Sequence, residues 1–404
     1  MLQRLTFKTT TLYALCVLFV VDILISFNYF FSNVFLTRAA VDANKVVCPP
    51  YFKDCLFAYV LDAPPQGYSQ NILFMIIGTF IFVALFFLYK KNFTYFSWFI
   101  SVPLFFKIAL IYFLTYLIPG NFHVFGIFFG LILLFSLYKI FFLRLLIVAF
   151  YLCASVVKIH EGYVTGTVFS SLALGAPIVP DTLLPYVGVG FFLMCSILPL
   201  FLLSTIAKVR LTALALLTIF HLYSITMVGF RYPILLLPIL WLLFYFEEEK
   251  IVFQKQYLKD YVGVLIISLM VFLQFVPLFI QGDERLTGEG YRYGYYMYDG
   301  NHQCVSTKKV FFNNGETKDI VWENTKAMYA CDPYEEWYKI QRWCDPKNVS
   351  KIAWTYDHSL NGALYRRIVN VENACGLLYH PFSHNAWINE QGEILQKSVI
   401  KNSI

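Results

Sequence analysis

The stretch "LRLLIVAFYLCASVVKIHEGYVTG", residues 143–166, decides the class of this protein. Its first part is apolar over a length suited to crossing a bilayer, and it ends on three ionisable residues, Lys158, His160 and Glu161. Similar apolar runs recur up to about position 280, and 59% of the chain is hydrophobic while only 14% is charged. A membrane-spanning helix needs roughly 20 apolar residues. The sequence therefore predicts a multi-pass membrane protein.

The apolar runs predict an all-α polytopic membrane bundle of about nine transmembrane helices within residues 1–280. The fourth and fifth runs follow each other without a clear loop. The run behind the basic start of the chain is too long for a cleaved signal peptide, so we interpret it as a retained first span. The nine predicted spans lie near 10–36, 69–89, 93–118, 123–142, 143–159, 183–206, 211–229, 231–246 and 260–280.

The basic residues of the short loops are unevenly distributed between the two sides of these spans. Eleven lie on one side, whereas the other side carries Arg38, Lys45, Lys53 and Arg231. The side rich in lysine and arginine is the cytoplasmic one, which predicts an inside amino terminus and an outside tail. These residues also explain the formal net charge of +6, so no nucleic-acid partner is predicted. The eleven are Arg4, Lys8, Lys90, Lys91, Lys139, Arg144, Lys208, Arg210, Lys250, Lys255 and Lys259.

Residues 281–404 are predicted to form a small mixed α/β extracytoplasmic domain. The opening "YRYGYYMYDG" alternates as a strand does, and "DHSLNG" is typical of a turn. Six cysteines outside the spans, an even number in an oxidising compartment, predict up to three disulfides, of which one arrangement links the first loop to the tail. Six cysteines allow fifteen pairings, and scattered free thiols are the alternative. The six are Cys48, Cys55, Cys304, Cys331, Cys344 and Cys375.

Ionisable residues inside the predicted spans are the strongest functional candidates, because each costs about 2.5–3.5 kcal/mol in hydrocarbon unless it is paired. Helical rise places Lys158 about 21 Å above Arg144, with Asp22 at a similar depth and His221 nearer the middle. An ion pair between Asp22 and Lys107 is the favoured structural interpretation. Lys158 reaching back to the outer interface and His221 bonded to a carbonyl are the structural alternatives for those two residues. The functional hypothesis makes Lys158 a base in an apolar pocket.

Three motifs resemble those of the vitamin K-dependent gamma-carboxylases and their bacterial relatives, the HTTM-domain membrane proteins. The resemblance covers roughly residues 70–245. The first motif is the quoted stretch, in which a lysine at a helix end is followed by an aromatic five positions later and by a glycine eight positions later. The second is "GNFHVFG" and the third is "IFHLYSITMVGF". They contain Lys158, Tyr163 and Gly166, then Asn121 and His123, and finally Phe220 and His221.

This resemblance implies that Lys158 deprotonates a reduced, vitamin K-like naphthoquinone while His123 assists by orientation or hydrogen bonding. Quinone epoxide formation would then be coupled to carboxylation of a glutamate in a secreted peptide, with no metal required. The residues implied in quinone binding are His221, Asn121, Tyr163 and Phe220.

Two non-catalytic functions remain open on the sequence. The chain would then bind lipid or quinone, or act as a membrane partner subunit through its disulfide-tied tail. A third alternative is a maturation factor for a secreted peptide that acts without carboxylation. Conversion of a reduced naphthoquinone to its epoxide distinguishes the enzyme from all three.

Overall fold

The structure is a computed structural model that describes residues 9–30, 49–51, 68–114, 121–172, 175–228, 230–245, 254–296, 300–324 and 331–395. Within these ranges, six helices are long and apolar enough to cross a membrane. Three shorter apolar helices accompany them, at Met75–Tyr89, Phe122–Phe135 and Tyr232–Phe244. The pattern is that of a multi-pass membrane protein. The total of nine spans stays a prediction.

The helical part begins with α1 (Thr9–Phe30), α2 (Tyr68–Tyr89) and α3 (Phe93–Ala109), which continues as a π-helix at Leu110–Leu114. It goes on with α4 (Asn121–Phe135), α5 (Lys139–Val156) and the short α6 (Glu161–Val164) and α7 (Thr167–Ser170). The remaining helices of this part are α8 (Leu184–Ser196), α9 (Leu198–Leu202), α10 (Ala207–Val228), α11 (Arg231–Phe244) and α12 (Tyr261–Phe275). Single 3₁₀ turns lie at Asp181–Leu183, Lys255–Lys259 and Val276–Phe279.

The predicted boundary between the fourth and fifth spans, at 142/143, is wrong. The chain breaks seven residues earlier, between the end of α4 at Phe135 and the start of α5 at Lys139. Asp260 Oδ2 accepts hydrogen bonds from Ser136 Oγ (2.6 Å) and from the N–H groups of Leu137 (2.7 Å) and Tyr138 (3.0 Å). Backbone donors at a break in an apolar environment need such a partner. A carboxylate far away in sequence therefore sets the break.

The tail contains a five-stranded antiparallel sheet in the order β2-β1-β3-β4-β5. The strands are β1 (His302–Phe312), β2 (Thr317–Asn324), β3 (Val349–Leu360), β4 (Arg366–Val371) and β5 (Ile388–Ile394). Two short helices accompany the strands: α13 (Glu284–Thr287) precedes β1, and α14 (Pro333–Trp343) lies between β2 and β3 in sequence. A 3₁₀ turn at Ala374–Gly376 follows β4. Trp354, Ile352 and Cys304 lie in the core of this domain. The predicted mixture of strands and helix is confirmed.

Two disulfides tie the tail together, Cys304–Cys331 and Cys344–Cys375. These pairings use all four cysteines of the tail, so the arrangement that links the first loop to the tail is wrong. Cys48 and Cys55 lie outside the described residues. The local pairs form because each joins a strand or helix end to the loop packed against it, and no spacing rule in the sequence reveals that packing.

A charged cluster lies between α14 and the sheet. Glu336 accepts a hydrogen bond from Lys308 Nζ and a second, of 3.0 Å, from Lys339 Nζ. Burial by itself raises the pKa of Glu336, but the two lysines outweigh it and hold the pKa below its ordinary value of 4.5. The charged form of Glu336 is therefore the form that the folded tail stabilises.

The predicted strand at "YRYGYYMYDG" is wrong for Tyr291–Tyr296, which form turns, and the first strand begins only at His302. Tyr295 is buried in the helical core, where its N–H donates to Gln274 Oε1 (2.7 Å) and its hydroxyl donates to Tyr232 (3.1 Å). Arg292 donates to the carbonyl of Ile111 in the π-helix. The alternation of residues in this stretch therefore reflects packing of a turn segment against the helices. Through these contacts the segment anchors the tail in the helical bundle.

Candidate functional site

Lys158 lies in the turn that follows α5. Its Nζ donates to the carbonyl oxygen of Ala154 (2.8 Å) and stands 5.8 Å from the centre of the Tyr163 ring. Carbonyl groups at the carboxyl end of a helix lack intrahelical partners and carry partial negative charge, so a lysine is stabilised there. The side chain is only 2% exposed. Lys158 is therefore folded back onto its own helix instead of extending to the protein surface.

A cavity of about 250 Å³ opens beside Lys158. Apart from Lys158 and His160, its lining is apolar or aromatic and comes from Ile159, Tyr163, Val164, Gly188, Val189 and Phe192. The wall formed by α8 comes close because Gly188 has no side chain. A Cβ at this position would collide with the carbonyl oxygen of Tyr163. A single amino group thus faces a small cavity that is otherwise nearly free of polar side chains.

The turn between α5 and α7 explains the spacing of Lys158, Tyr163 and Gly166. His160 caps α6, with its Nδ1 accepting from the N–H of Gly162 (3.1 Å), and its ring meets Tyr163 edge-on at 5.3 Å. Gly166 has φ +76°, a conformation that side chains disfavour, and a Cβ there would meet Leu184. The backbone of this turn therefore requires the glycine at 166, and the same turn brings the Tyr163 ring beside Lys158 and His160.

Asp22 and Lys107 form an ion pair with Oδ2 to Nζ at 2.8 Å, and both side chains are fully buried. Lys107 is thus the lysine that lies beside Asp22. Gly126 of α4 packs directly on the Asp22 carboxylate, and one turn further along α1 the hydroxyl of Ser26 is hydrogen-bonded to His123 Nδ1 (3.2 Å). The ion pair and His123 thus belong to one cluster where α1 meets α3 and α4.

His221 lies in the interior of the bundle on α10. Its Nε2 is hydrogen-bonded to the hydroxyl of Tyr151, so the partner is a side chain and the predicted carbonyl is wrong. The ring of Tyr232 lies 6.0 Å from that of His221, and Tyr232 in turn accepts from Tyr295. Phe220 contacts His221 at 5.1 Å between ring centres. A group of buried tyrosines around a histidine results.

The sequence did not identify Tyr151, Tyr232 and Tyr295 as members of this group. A tyrosine within an apolar run is usually interpreted as an aromatic anchor, so its hydroxyl carries no sequence signal until its partner is known. The nearest signal was His221 itself, because an intramembrane histidine needs a polar neighbour.

The structure distributes the predicted site residues over three places. Lys158 and Tyr163 face α8, His221 and Phe220 lie with the tyrosine group, and His123 contacts α1. Asn121 is the first residue of α4, and its side chain lies outside the described part. Lys158 and His123, the predicted catalytic pair, therefore lie at two different contacts between helices.

A second, larger cavity of about 760 Å³ lies between the α5–α7 turn and the tail domain. Charged and polar side chains line it together with apolar surface, and His160 borders both cavities. Asn301 fixes the tail at this place, donating through Nδ2 to the carbonyl of Val168 (2.8 Å) and to Ser171 Oγ (2.8 Å). No cluster of three or more histidine, cysteine or acidic residues suited to a metal occurs within the described ranges.

No protein-family model matches this chain, and no curated protein or solved structure matches it. The resemblance to the gamma-carboxylases therefore depends on the three sequence motifs alone, and the function has to be argued from the geometry.

Proposed function

We propose that this protein is a membrane enzyme, related to the vitamin K-dependent gamma-carboxylases and HTTM-domain proteins, that uses Lys158 as a base on a lipid-soluble quinol. The observation that supports this proposal is the burial of the Lys158 amine beside an otherwise mostly apolar cavity. The proposal includes about nine spans and a tail outside a bacterial inner membrane. The eleven-to-four distribution of basic residues supports that orientation.

The hydrogen bond to Ala154 suits a base. A neutral lysine amine has two N–H donors and one lone pair, and the hydrogen bond to the Ala154 carbonyl uses a donor, whereas a base accepts its proton on the lone pair. Burial in apolar surroundings disfavours the charged ammonium. Once the proton is taken, the face of the Tyr163 ring and the negative end of α5 stabilise the new charge. These groups therefore favour transfer of a quinol hydroxyl proton to Lys158 Nζ.

The size of the cavity favours a ring over a whole lipid. At about 250 Å³ it is slightly smaller than the ~300–1,000 Å³ of typical ligand pockets. A fused aromatic ring fits this space, and a prenyl chain would leave between Ile159, Val164 and Val189, which are all exposed on the outside of the bundle. A reduced naphthoquinone is the co-substrate that the resemblance implies.

The later steps of the proposal follow from the resemblance. The quinolate reacts with O₂ to give the epoxide and water, and the strong base formed on the way removes a proton from a peptide glutamate, to which CO₂ adds. His123 is proposed to assist by orienting groups through its contact with Ser26. Asn121, Tyr163, Phe220 and His221 are proposed to line the path of the quinone.

The test is conversion of a reduced naphthoquinone to its epoxide by purified protein, followed by chromatography. Lys158→Arg keeps a positive donor for Ala154 but cannot release its proton, so it should abolish turnover while leaving folding intact. His123→Ala should reduce turnover more mildly. The matched control is Lys208→Arg, an exposed lysine at the start of α10, which should keep full activity. An inactive wild type, or an active Lys158→Arg variant, contradicts the proposal.

A non-catalytic function is the second candidate, and the insertion of Tyr295 and Arg292 into the bundle favours it. A tail fixed so firmly suits a partner subunit, a lipid- or quinone-binding protein, or a maturation factor for a secreted peptide. In that case, quenching of tyrosine fluorescence would show naphthoquinone binding without epoxide formation, and Lys158→Arg would bind as well as the wild type.

A further inference from the structure

The two cavities meet at a single residue, His160, and differ sharply in chemistry. The smaller one lies just beyond the end of α5 at Val156 and is almost wholly apolar, whereas the larger one lies on the tail side of His160 and combines apolar surface with charged and polar side chains. α5 ends at Val156 and α8 begins at Leu184, so the apolar helices give way to turns at this end of the bundle. The smaller cavity therefore offers apolar surface, and the charged groups lie in the larger cavity on the other side of His160.

The charges in the larger cavity are mixed. Arg285 and Asp283 neutralise each other through two hydrogen bonds of 2.9 and 3.0 Å. Arg366 donates to the carbonyl of Gln391 (2.8 Å), while Glu161 and Glu390 supply two further carboxylates to the lining. Two arginines against three carboxylates give a net charge of −1. A purely anionic ligand is disfavoured, whereas a ligand that carries both signs finds a partner for each.

The smaller cavity is open toward the outside of the bundle. Ile159 is 68% exposed, Val164 63% and Val189 43%. In a chain with this many apolar helices, exposed aliphatic side chains at the end of a span face lipid. A hydrocarbon chain can thus enter this cavity from the bilayer and continue along these residues.

We propose that the two cavities together bind one zwitterionic phospholipid with a primary amine, of the phosphatidylethanolamine type. The ammonium is held by Glu161 and Glu390, the phosphate by Arg366, and one acyl chain passes His160 into the cavity beside Lys158. A choline headgroup has the same charges but no N–H donor for the carboxylates, and a glycerol headgroup has no cation at all. This site does not depend on the quinol chemistry, and a quinol that reaches Lys158 has to displace the acyl chain.

The test is native mass spectrometry of the full chain released from bilayers that contain equal amounts of phosphatidylethanolamine, phosphatidylcholine and phosphatidylglycerol. We expect one retained phosphatidylethanolamine per chain. Arg366→Gln removes the partner of the phosphate and should weaken retention about tenfold, the effect of losing one charge-assisted hydrogen bond. Val189→Phe fills the apolar cavity and should lower retention of the same lipid.

Two matched variants control for charge and bulk. Lys318→Gln removes a cation from β2, an edge strand of the sheet, and Leu193→Phe places the same aromatic ring one turn along α8. Both should retain the lipid as the wild type does. Retention of all three lipids alike overturns the proposal. It is equally overturned if Arg366→Gln changes nothing, or if Val189→Phe leaves phosphatidylethanolamine in place, since a headgroup site alone would then be present.

Discussion

The close approach of α8 to the Tyr163 turn can be tested with a single methyl group. Gly188→Ala places a Cβ against the Tyr163 carbonyl oxygen and 2.9 Å from its carbon. These are backbone atoms, so no side-chain rotation relieves the clash, and either α8 or the turn has to move. Gly190→Ala, on the same helix, is the matched control because nothing lies within 4 Å of its Cβ.

Both substitutions change helix propensity by the same amount, about 0.8–1 kcal/mol in favour of alanine. This gain cancels when the two variants are compared with each other. The remaining difference is the overpacking cost, about 1–3 kcal/mol. At about 1.2 °C per kcal/mol in a chain of this size, Gly188→Ala should melt roughly 1–4 °C below Gly190→Ala.

The assay is thermal unfolding in detergent, followed by fluorescence-detected size exclusion, together with naphthoquinone binding by tyrosine fluorescence. Gly188→Ala should also weaken binding, because the displaced turn carries Tyr163 and Val164 of the cavity wall. Equal melting temperatures for the two alanine variants would refute the packing argument. Normal binding by a destabilised Gly188→Ala variant would show that the ligand does not enter this cavity.

Three further predictions concern the buried pairs. Replacing Cys304 and Cys331 by serine should destabilise the tail by about 2–5 kcal/mol, seen as faster proteolysis of the tail, whereas protection equal to the wild type would contradict it. The pKa of Glu336 is depressed in the folded tail, so the stability contributed by its ionised form is complete above pH 4.5 and is lost as the pH falls through the lower folded value. Glu336→Gln should therefore melt at a lower temperature than the wild type at pH 7, and its melting temperature should depend less on pH in the acid range. Lys107→Met should lower the free energy of unfolding by about 3–5 kcal/mol, because Asp22 is left buried without its cation, and adding Asp22→Asn should recover much of this loss. If the effects of the two substitutions simply added, a direct pair would be excluded.

Part of the candidate site was accessible from the sequence, because its signal is local. Lys158, Tyr163 and Gly166 are recognisable as a unit since they lie within one short turn, where Gly166 has a positive φ and the Tyr163 ring lies near Lys158. Asp22 and Lys107 stood out for a related reason, because each charge is costly in an apolar run whatever lies opposite. Tyr151 and Tyr232 escaped notice because a tyrosine is compatible with an apolar run whether or not its hydroxyl is bonded.

The sequence by itself determined that the chain is a multi-pass membrane protein with a disulfide-tied tail. The free energy of moving residues out of water accumulates along consecutive positions, so a run of apolar residues carries the answer within itself. Contacts between distant residues were decided only by the tertiary structure. Asp260 sets the break before α5 across more than 120 residues, and Tyr295 leaves its expected strand for a hydrogen bond to Tyr232. Both contacts depend on which polar group lies nearby in the folded protein. Such a pairing produces no repeating pattern along the sequence, so the sequence alone does not reveal it.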